Sequence, residues 1–419
     1  MNTVNTTSIR ILVLSALLLA AASPSAAQDA SGGQPGTFLR FGASARGLAM
    51  GGASTGLAND ASALFYNPAG MEQVRSTELL FFHAELLAET RYQYLGLVQP
   101  LGHFGTLGVA GALLSSGGFE RSSLLEDTGE SFDETQNSLQ VSFARRFGSV
   151  SLAASYRTVN QSLAGYSGSG SGLDLAVFNR PARHFSFGFL VQNVLAPEIT
   201  LLQTAESYPL TVRAGGALHL RDGRVLSTLD LVRVGDAPLG VQTGIEVWGL
   251  GNFALRSGWD TMRNGYAAGG GYRSGAWQLD YAVSDTPIGL SHRLSFTWRF
   301  GVPLGVSLSS DTARFSPSGE RNRVELELKS QFRGKAKGWE LVIYDNDGQP
   351  RHSARGSKEP PETYSWDGRD DQGRLVSTGS YRVVVVVLDE FGDPWTQELN
   401  VEIRDYDPAL KTPVQLEVN

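Results

Sequence analysis

Cysteine is absent from this chain of 419 residues, which excludes disulfide bonds, thiol chemistry and a lipid-accepting cysteine after a signal peptide. Charged residues make up only 18% of the sequence, and a net charge of −7 provides no basic surface for nucleic acid. After the first thirty residues, no segment approaches the roughly eighteen continuous apolar residues of a membrane-spanning helix. If the chain crosses a membrane, it therefore crosses as β-strands.

The chain also lacks an enzyme-like arrangement of residues. Its six histidines are scattered, and no Gly-x-Ser-x-Gly, His-Glu-x-x-His or phosphate-binding glycine loop occurs. Asp367, Asp370 and Asp371 lie together in one turn, where their oxygens suit a hard cation. Their spacing differs from that of an EF-hand, and aspartate is common in turns. We therefore predict no catalytic residue, no cofactor, no metal site and no enzyme activity.

Strand-like segments dominate what is present. Glycine accounts for 49 residues, a share well above the usual one and typical of a chain with many turns. Alternating apolar and polar residues, bounded by Gly, Pro, Asn, Asp and Ser, predict β-strands. The fourteen predicted strands lie near residues 77–85, 91–98, 106–115, 137–146, 149–160, 171–179, 184–193, 210–219, 224–234, 240–248, 252–259, 265–273, 275–284 and 290–300.

The connections between these strands alternate in length. Long polar connections are predicted at 116–136, 161–170 and 194–209, whereas short turns such as Phe147-Gly148 follow the even-numbered strands. An outer-membrane barrel has short periplasmic turns and long external loops. A soluble sandwich or propeller, the alternative, has no reason to keep its long loops at one end. We predict an all-β fold, with an antiparallel transmembrane barrel of about fourteen strands at 77–300.

Face alternation is a second indication, because a barrel strand exposes one face to lipid and the other to the lumen. In the last strand, Leu294, Phe296 and Trp298 share one face, and arginines share the other. Both signs of charge occur on the predicted lumen face, which favours internal ion pairs and a plugged or narrow lumen. Simple solvation of the interior and a substrate path are both open explanations. The predicted lumen-facing charges are Arg157, Asp174, Arg213, Asp230, Glu246, Arg256, Asp280, Arg293 and Arg299.

Residues 1–27 have the features of a secretory signal peptide. Arg10 supplies the positive charge, 11–22 are apolar, and Ser25-Ala26-Ala27 fits a cleavage site. The alternative, a retained anchor helix, would need a longer apolar segment. We expect export to the periplasm of a Gram-negative cell and insertion into its outer membrane.

A stretch rich in small residues, 28–76, lies between the signal peptide and the first strand. Its Gly42–Gly52 (GASARGLAMGG) and Ala58–Met71 (ANDASALFYNPAGM) contain enough Ala and Gly to pack closely against barrel walls. These two motifs resemble the amino-terminal signature of the PorV/PorQ family of fourteen-stranded outer-membrane barrels, which is related to FadL-type transporters. The resemblance covers about 36–300.

The resemblance implies that 28–76 forms a plug inside or beneath the barrel. It further implies structural contacts with the wall from Arg46, Asp60, Asn67 and Pro68, for which ligand contacts are the alternative. Two roles are known in the family, and the signature does not separate them. FadL relatives pass hydrophobic molecules, whereas PorV relatives serve type IX secretion as shuttles for exported cargo.

A second domain is predicted at 312–406, after a linker at 301–311 and before a tail at 407–419. Its short strands and frequent turns are typical of an immunoglobulin-like β-sandwich. The segment WDGRDDQGRLVSTGSY resembles the FlgD-type immunoglobulin-like domain, and FSPSGE resembles the start of carboxy-terminal modules of exported bacterial proteins, with departures at Ser318 and Glu320. The residues that carry the FlgD-type motif are Trp366, Asp367, Gly368, Asp370, Gly373, Gly379 and Tyr381.

With an even number of strands, the first strand begins and the last strand ends on the same side of the membrane. The short turns mark that side as periplasmic, so this domain is expected in the periplasm. A sorting signal for type IX export is the alternative use, which would leave the domain on the cell surface. Val383–Val387 is either a buried core strand or an exposed edge that pairs with a partner. Ser295–Phe300 resembles the signal recognised by the barrel-assembly machinery, although here it is internal.

The sequence favours a non-enzymatic accessory or scaffold role in protein export or envelope assembly, because an appended domain suits protein contacts. The alternative is passive transport of a hydrophobic small molecule. A lateral opening in the wall and an apolar pocket at the plug would favour transport, whereas a wide apolar surface on 309–406 would favour the scaffold. Expected partners are outer-membrane lipid, the barrel-assembly machinery, periplasmic or secretion-machinery proteins at 312–406 and, for transport, a hydrophobic small molecule.

Overall fold

The protein is described by a computed structural model that covers residues 35–404, except 87–88, 123–126, 183, 222, 250, 287–288, 302, 320, 333–334, 390–391 and 393. The predicted signal peptide and tail lie outside the described residues. The chain folds into two compact units, a barrel unit and a carboxy-terminal unit. In the described ranges, no helix has the length and apolar character needed to cross a membrane.

Short helices precede the barrel strands. They are the 3-10 helices Thr37–Arg40 and Pro68–Gln73 and the α-helices α1 (Ala45–Ala49) and α2 (Ala63–Tyr66); a further 3-10 helix is Gly102–Phe104. The strands of the barrel unit are β1 (Thr77–Glu85), β2 (Arg91–Pro100), β3 (Thr106–Ser122), β4 (Asp127–Phe147), β5 (Val150–Leu163), β6 (Tyr166–Ala182), β7 (Phe185–Leu195), β8 (Glu198–Thr200), β9 (Ala205–Ser207), β10 (Thr211–Leu220), β11 (Val225–Val234), β12 (Gly240–Gly249), β13 (Phe253–Asp260), β14 (Gly265–Ser274), β15 (Trp277–Thr286) and β16 (Gly289–Phe300).

Fourteen of these strands, β1–β7 followed by β10–β16, close into an antiparallel barrel, which confirms the predicted fold class. β16 pairs with β1, with Phe300 opposite Thr77, so the wall has no free edge. Thr77 and Phe300 therefore mark one end of the barrel, named here the terminal end. The opposite end, where Leu163, Leu195 and Val234 lie, is named the loop end.

Side chains alternate between the outer and inner surfaces of the wall. Leu294 and Trp298 face outward and are 48% and 46% exposed, whereas Ser295 and Thr297 between them face inward and are buried. An apolar outer surface on a closed barrel suits contact with lipid tails. Other exposed apolar side chains on barrel strands include Phe81, Leu95, Leu139, Val141, Phe143, Leu152, Tyr156, Leu175, Phe189, Leu229, Leu255 and Tyr281.

Two of the three predicted long loops are strand extensions, so this part of the prediction was wrong. Residues 116–122 continue β3 and 127–136 continue β4, while 161–170 continues β5 and β6, which turn at Ala164–Gly165. The third segment, 194–209, contains the small β8–β9 hairpin. The sequence of the two extensions is rich in polar residues and glycine and lacks the apolar alternation that marks a half-buried strand.

The carboxy-terminal unit contains two sheets around one apolar core. Its strands are β17 (Gly305–Ser310), β18 (Arg314–Phe315), β19 (Val324–Gln331), β20 (Gly338–Tyr344), β21 (Pro350–Gly356), β22 (Thr363–Trp366), β23 (Gly379–Leu388) and β24 (Pro394–Ile403). The sheet orders are β17-β19-β22 and β18-β24-β23-β20-β21. Val383, Val385 and Val387 are fully buried in a strand paired on both sides, so this run belongs to the core. The immunoglobulin-like assignment stays a prediction.

Candidate functional site

The segment from Phe38 to Val74 occupies the barrel lumen, and this chain segment is called the plug below. Its side chains are almost all buried, and they share one apolar cluster with inward-facing residues of β1–β7. Ser44 begins α1 by accepting a hydrogen bond from the backbone N–H of Gly47 at 3.0 Å. Asn67 precedes the second 3-10 helix in an extended conformation, accepts from the N–H of Ala69, and is followed by Pro68 at the first helical position.

A chain of buried ion pairs joins the plug to the wall. Arg46 donates from Nε and Nη2 to the two carboxylate oxygens of Glu246, each at 2.8 Å, and its Nη1 lies 2.6 Å from Asp60 Oδ2. On the wall, Arg256 contacts the same Glu246 at 2.6 Å and Asp280 at 2.9 Å. Five charges of alternating sign therefore run from the plug into β12, β13 and β15, and each cation has two carboxylate neighbours.

Further polar contacts hold the backbone of the plug. Asp230 Oδ2 accepts from the N–H groups of Ser54 at 3.0 Å and Thr55 at 2.8 Å. Asn67 Nδ2 donates to the carbonyl oxygens of Thr55 and Val177, both at 3.0 Å, and thereby links two parts of the plug to β6. These bonds satisfy backbone groups that would otherwise be buried without partners.

Glycines on the wall allow the plug backbone to approach closely. A Cβ built on Gly258 would lie 2.1 Å from the backbone nitrogen of Gly51, and one on Gly244 would lie 2.6 Å from the carbonyl oxygen of Met50. At Gly188, a Cβ would lie 2.1 Å from the carbonyl oxygen of Thr55. These distances exclude any side chain, so the fit between plug and wall depends on glycine.

The connection between β7 and β10 folds inward over the loop end. A Cβ on Gly170 would lie 2.6 Å from the carbonyl oxygen of Glu198, and one on Gly168 would lie 2.7 Å from that of Thr200. The alternating glycines of β6 therefore leave room for the β8–β9 hairpin on its inner face. Beyond this hairpin, the ring of Tyr208 packs on Gly36, at the amino-terminal side of the plug.

A cavity of about 70 Å³ lies below this connection, between the plug and the wall. Its apolar lining consists of Leu39, Leu48, Phe65, Val232, Val234 and Met262. The rings of Tyr66 and Tyr208 add an aromatic part, and the polar part is Gln242 with the charged residues Arg40, Arg157, Arg213, Asp260 and Arg263. Arg213 is fixed there by Gln242 Oε1 at 2.8 Å and lies 5.9 Å above the centre of the Tyr66 ring.

The wall beside this cavity contains an interruption in strand pairing. The β6–β7 register shifts between the pairs Leu175–Val191 and Leu173–Leu195. Asp174 bridges the gap, since its Oδ1 accepts from the N–H of Asn193 at 2.8 Å and its Oδ2 lies 2.7 Å from Arg157. Asn193 has a left-handed backbone, with φ of 61°. Because Arg157 and Asn193 line the cavity, the cavity borders a stretch of wall held by side chains.

The structure places all nine predicted lumen-facing charges on the inner surface, and it buries eight of them. Glu246, Arg256 and Asp280 belong to the ion-pair chain, Arg157 pairs with Asp174, and Arg213 lies 3.8 Å from Asp230. Arg299 pairs with Glu78 at 3.0 Å, and Arg293 donates to Ser284. Of the predicted plug residues, Arg46, Asp60 and Asn67 bond as described, and Pro68 is buried in its helix.

Several polar residues that complete these networks were not predicted from the sequence. Glu78 accepts from the N–H of Ala61 at 2.9 Å, and Gln140 donates to the carbonyl oxygen of Leu64 at 2.8 Å. Both lie at inward positions of their strands. The signal that reveals them is the alternation of side chains along a strand. Every polar residue at a position that faces the lumen is a candidate partner of the plug, whether it is charged or not.

The predicted motif residues of the carboxy-terminal unit divide between core and turn. Trp366 and Tyr381 are buried with ring centres 5.4 Å apart, and the Tyr381 hydroxyl donates to the carbonyl oxygen of Ser377. Gly368, Gly373 and Gly379 have positive φ angles. Asp367, Asp370 and Asp371 accept hydrogen bonds from different backbone N–H groups. Among the described residues, no group of three or more potential ligands is arranged to hold a metal.

Comparison with known proteins gives a partial family match. The family described as Uncharacterised protein family (UPF0164) matches residues 16–172. No curated protein matches the chain. Among solved structures, the barrel is similar to the Pseudomonas putida toluene transporter TodX (14% identity, 62% of this chain, 98% of that chain, TM-score 0.46) and the Ralstonia pickettii toluene transporter TbuX (13%, 62%, 99%, TM-score 0.47). A Pseudomonas aeruginosa FadL homologue shows 11% identity over 62% of this chain and 98% of that chain, with a TM-score of 0.43.

Proposed function

We propose that this chain is a non-enzymatic barrel of the outer membrane through which a small hydrophobic molecule passes passively. The observation that carries the proposal is the position of the cavity at the loop end. Its lining combines an apolar and aromatic part with charged side chains, it lies against the plug, and it borders the interrupted β6–β7 pairing. Lateral release of a solute into the membrane requires a pocket at the plug that lies next to an interruption in the strand pairing of the wall.

The proposed path requires movement at the loop end. An apolar cavity of roughly 150 Å³ accepts benzene, and the cavity here, at about 70 Å³, is smaller. Tyr208 and the segment beginning at Gly36 close it, and the contact between them is van der Waals packing without an ion pair. In this proposal, the closing segment opens while the ion-pair chain of Arg46 keeps the remainder of the plug in place.

A scaffold role in protein export or envelope assembly is the second candidate, and the compact carboxy-terminal unit favours it. With fourteen strands, the chain enters and leaves the barrel on the same side. The proposed orientation puts this unit in the periplasm. Among the described residues of this unit, however, the exposed large apolar side chains are limited to Leu101, Phe104, Leu375 and Leu388. That surface is not the wide apolar patch of a protein-binding face. Contacts with the barrel-assembly machinery or secretion proteins therefore remain proposals.

The test of transport uses an engineered disulfide at the cavity. A Cβ on Gly36 lies 3.0 Å from Tyr208 Cγ, so the two Cβ atoms lie within about 4.5 Å, a separation suited to a disulfide. The native chain has no cysteine that would compete. The double variant Gly36→Cys/Tyr208→Cys is expressed in cells that lack the native gene. Uptake of a radiolabelled monoaromatic hydrocarbon, a long-chain alkane and a long-chain fatty acid is then measured.

We expect the wild type to raise uptake of at least one of these solutes above that of cells without the gene. The oxidised double variant should lose this gain, and reduction should restore it. The reduced form is the internal control, because Gly36 has a positive φ and cysteine is strained there. Equal uptake of all three solutes with and without the protein would rule out the transport role. Accumulation of exported proteins in the periplasm of cells without the gene would then support the scaffold.

A further inference from the structure

The outer faces of β4, β5 and β6 change from apolar to polar at one level near the loop end. Val141, Tyr156 and Leu173 are aligned across the three strands, and all are apolar or aromatic. Toward the loop end, the following rows of outward-facing residues become increasingly polar. They are Leu139-Thr158-Ser171, Asn137-Asn160-Ser169 and Thr135-Ser162-Ser167. Since the change occurs at matching positions on neighbouring strands, it marks the edge of the hydrocarbon layer on this side of the wall.

A cavity of about 180 Å³ lies among the polar rows, lined by Thr135, Asn137, Asn160, Gln161, Ser162 and Ser167. This cavity is called the amide groove. All six side chains are uncharged, and five of them face outward. The Gln161 side chain instead donates to Glu134 Oε1 at 3.2 Å on the inner face, and Gly168 completes the lining. Asn160 Nδ2 donates to Asn137 Oδ1 at 3.0 Å, which holds the two amides side by side. The remaining NH₂ hydrogens of Asn137 and the carbonyl oxygen of Asn160 then present a donor and an acceptor to an occupant.

The lining determines the chemistry of that occupant. Neutral amides and hydroxyls match groups that both donate and accept hydrogen bonds, as sugar hydroxyls do. A hydrocarbon would leave these groups without partners, and an anion would find no cation in the lining. The volume exceeds the roughly 150 Å³ that accommodates benzene, and Asn160, Ser162 and Ser167 are exposed, so one face of a sugar ring can enter the groove while the rest stays outside.

The height of the groove indicates the source of the sugar. Asn160 lies four residues beyond Tyr156 on the same strand, which is about 14 Å along the strand and, with the usual strand tilt, about 10 Å above the apolar edge. Headgroups occupy this level of a membrane. The groove also faces outward on the same rows that contact lipid below it. A sugar attached to a neighbouring lipid therefore reaches it directly.

We propose that the amide groove binds a neutral sugar of a glycolipid in the surrounding outer leaflet. This site lies outside the barrel and does not depend on the identity of the transported solute. It does rest on the proposed orientation, in which the loop end faces the cell exterior. The bound glycolipid would anchor the projecting β4–β6 extension at a fixed height.

The test uses the full chain in nanodiscs of phosphatidylcholine. The probes are a diacyl glycolipid with one neutral hexose, the same diacylglycerol without sugar, and the free methyl hexoside. Native mass spectrometry counts each probe per barrel. The groove variants are Asn137→Ala/Asn160→Ala, which removes the paired amides, and Ser162→Phe, which fills the cavity. Asn179→Ala, near the other end of β6, is the matched control.

We expect the wild type and Asn179→Ala to retain the hexosyl lipid in preference to the sugar-free lipid. Both groove variants should retain about tenfold less, as the loss of one or two hydrogen bonds predicts. Equal retention by wild type and both groove variants would contradict the proposal, as would no preference of the wild type for the sugar. Binding of the free hexoside as tight as that of the lipid would assign the groove to soluble sugars instead. Uptake assays are not used, so failure here leaves the transport proposal unaffected.

Discussion

Arg46 is the residue on which the seating of the plug depends most. It is a buried cation between one carboxylate of the plug and one of the wall, and its bidentate contact with Glu246 fixes both distance and orientation. Removal of one partner from a buried network leaves uncompensated charge and is much more destabilising than loss of an exposed pair. The alternating charges therefore specify a single position of the plug in the lumen.

We predict that Arg46→Met destabilises the folded barrel unit by about 3–5 kcal/mol. Asp60 would lose its cation, and Glu246 would retain only Arg256. Urea unfolding of the detergent-solubilised full chain, followed by the mobility shift of folded barrel on gels, measures the effect. Arg314→Met, which breaks the exposed pair with Glu402, is the control and should change stability by less than about 1 kcal/mol. An equally small effect at Arg46 would show that the ion pairs do not position the plug.

Gly258 offers a second test of how the plug is held. We expect Gly258→Ala to leave the β-strand content intact but to displace the plug, because its Cβ would lie 2.1 Å from the backbone of Gly51. Limited proteolysis of the plug in the full chain should then be faster. Gly249→Ala is the control, since a Cβ there meets nothing within 4 Å. Unchanged proteolysis of the Gly258 variant would mean that wall and plug adjust to the added methyl group.

A strand could be predicted from the sequence where one of its faces contacts lipid. It could not be predicted where neither of its faces contacts lipid. The last strand alternates Leu294, Phe296 and Trp298 with polar residues, so the period-2 pattern is complete. By contrast, the Ser-Gly repeat from Ser167 to Gly170 indicates a loop, yet it is strand, because its glycines face the backbone of the β7–β10 connection. The small residues of the plug indicate close packing against the wall, and the family resemblance implied its location, but its partners Gln140 and Glu78 depend on inter-strand register, which a single sequence does not contain.

The turns of the carboxy-terminal unit should make it sensitive to acid. The backbone N–H of Arg374 lowers the pKa of Asp370, and the backbone N–H of Gln349 lowers that of Asp345. A carboxyl group whose pKa is lower in the folded state contributes stability above its unfolded pKa and loses it as the pH falls through the folded pKa. We therefore expect these turns to weaken below about pH 4.

Hydrogen exchange in the full chain as a function of pH measures this effect. Protection of the amides of Gln372 and Arg374, which bond to Asp370, should fall as the pH is lowered. The variant Asp370→Asn keeps an oxygen acceptor but cannot titrate, so its protection relative to that of the wild type should vary less with pH. The same pH dependence in both proteins would assign the acid sensitivity to other groups.

Across the whole molecule, the even number of strands determines the proposed topology. All strand ends at the terminal end, including Ser274 at the end of β14, should face the periplasm together with the carboxy-terminal unit. The turn at Ala164 and Gly165 should face the exterior. The absence of cysteine from the native chain makes this prediction simple to examine with single-cysteine variants.

We predict that Ala164→Cys reacts with a membrane-impermeant maleimide on intact cells. Ser274→Cys and Ser353→Cys, in β21, should react only after the outer membrane is made permeable. Wild-type protein without cysteine is the blank, and labelling after full solubilisation shows that each thiol is reactive. Labelling of Ser353→Cys on intact cells would place the carboxy-terminal unit outside and would revive its interpretation as a sorting signal.

The ion pair between Arg46 and Glu246 also constrains the order in which the molecule assembles. The two residues are 200 positions apart, and the closing strand β16 comes later still. Contacts so distant in sequence form late and slowly, because a long loop must close before they stabilise anything. The plug is therefore the first part of the barrel unit to be synthesised and among the last to gain its partners. Until β12 is in place, Arg46 has Asp60 of the plug as its carboxylate partner but lacks Glu246, so its full burial and closure of the wall are expected to occur as one cooperative event.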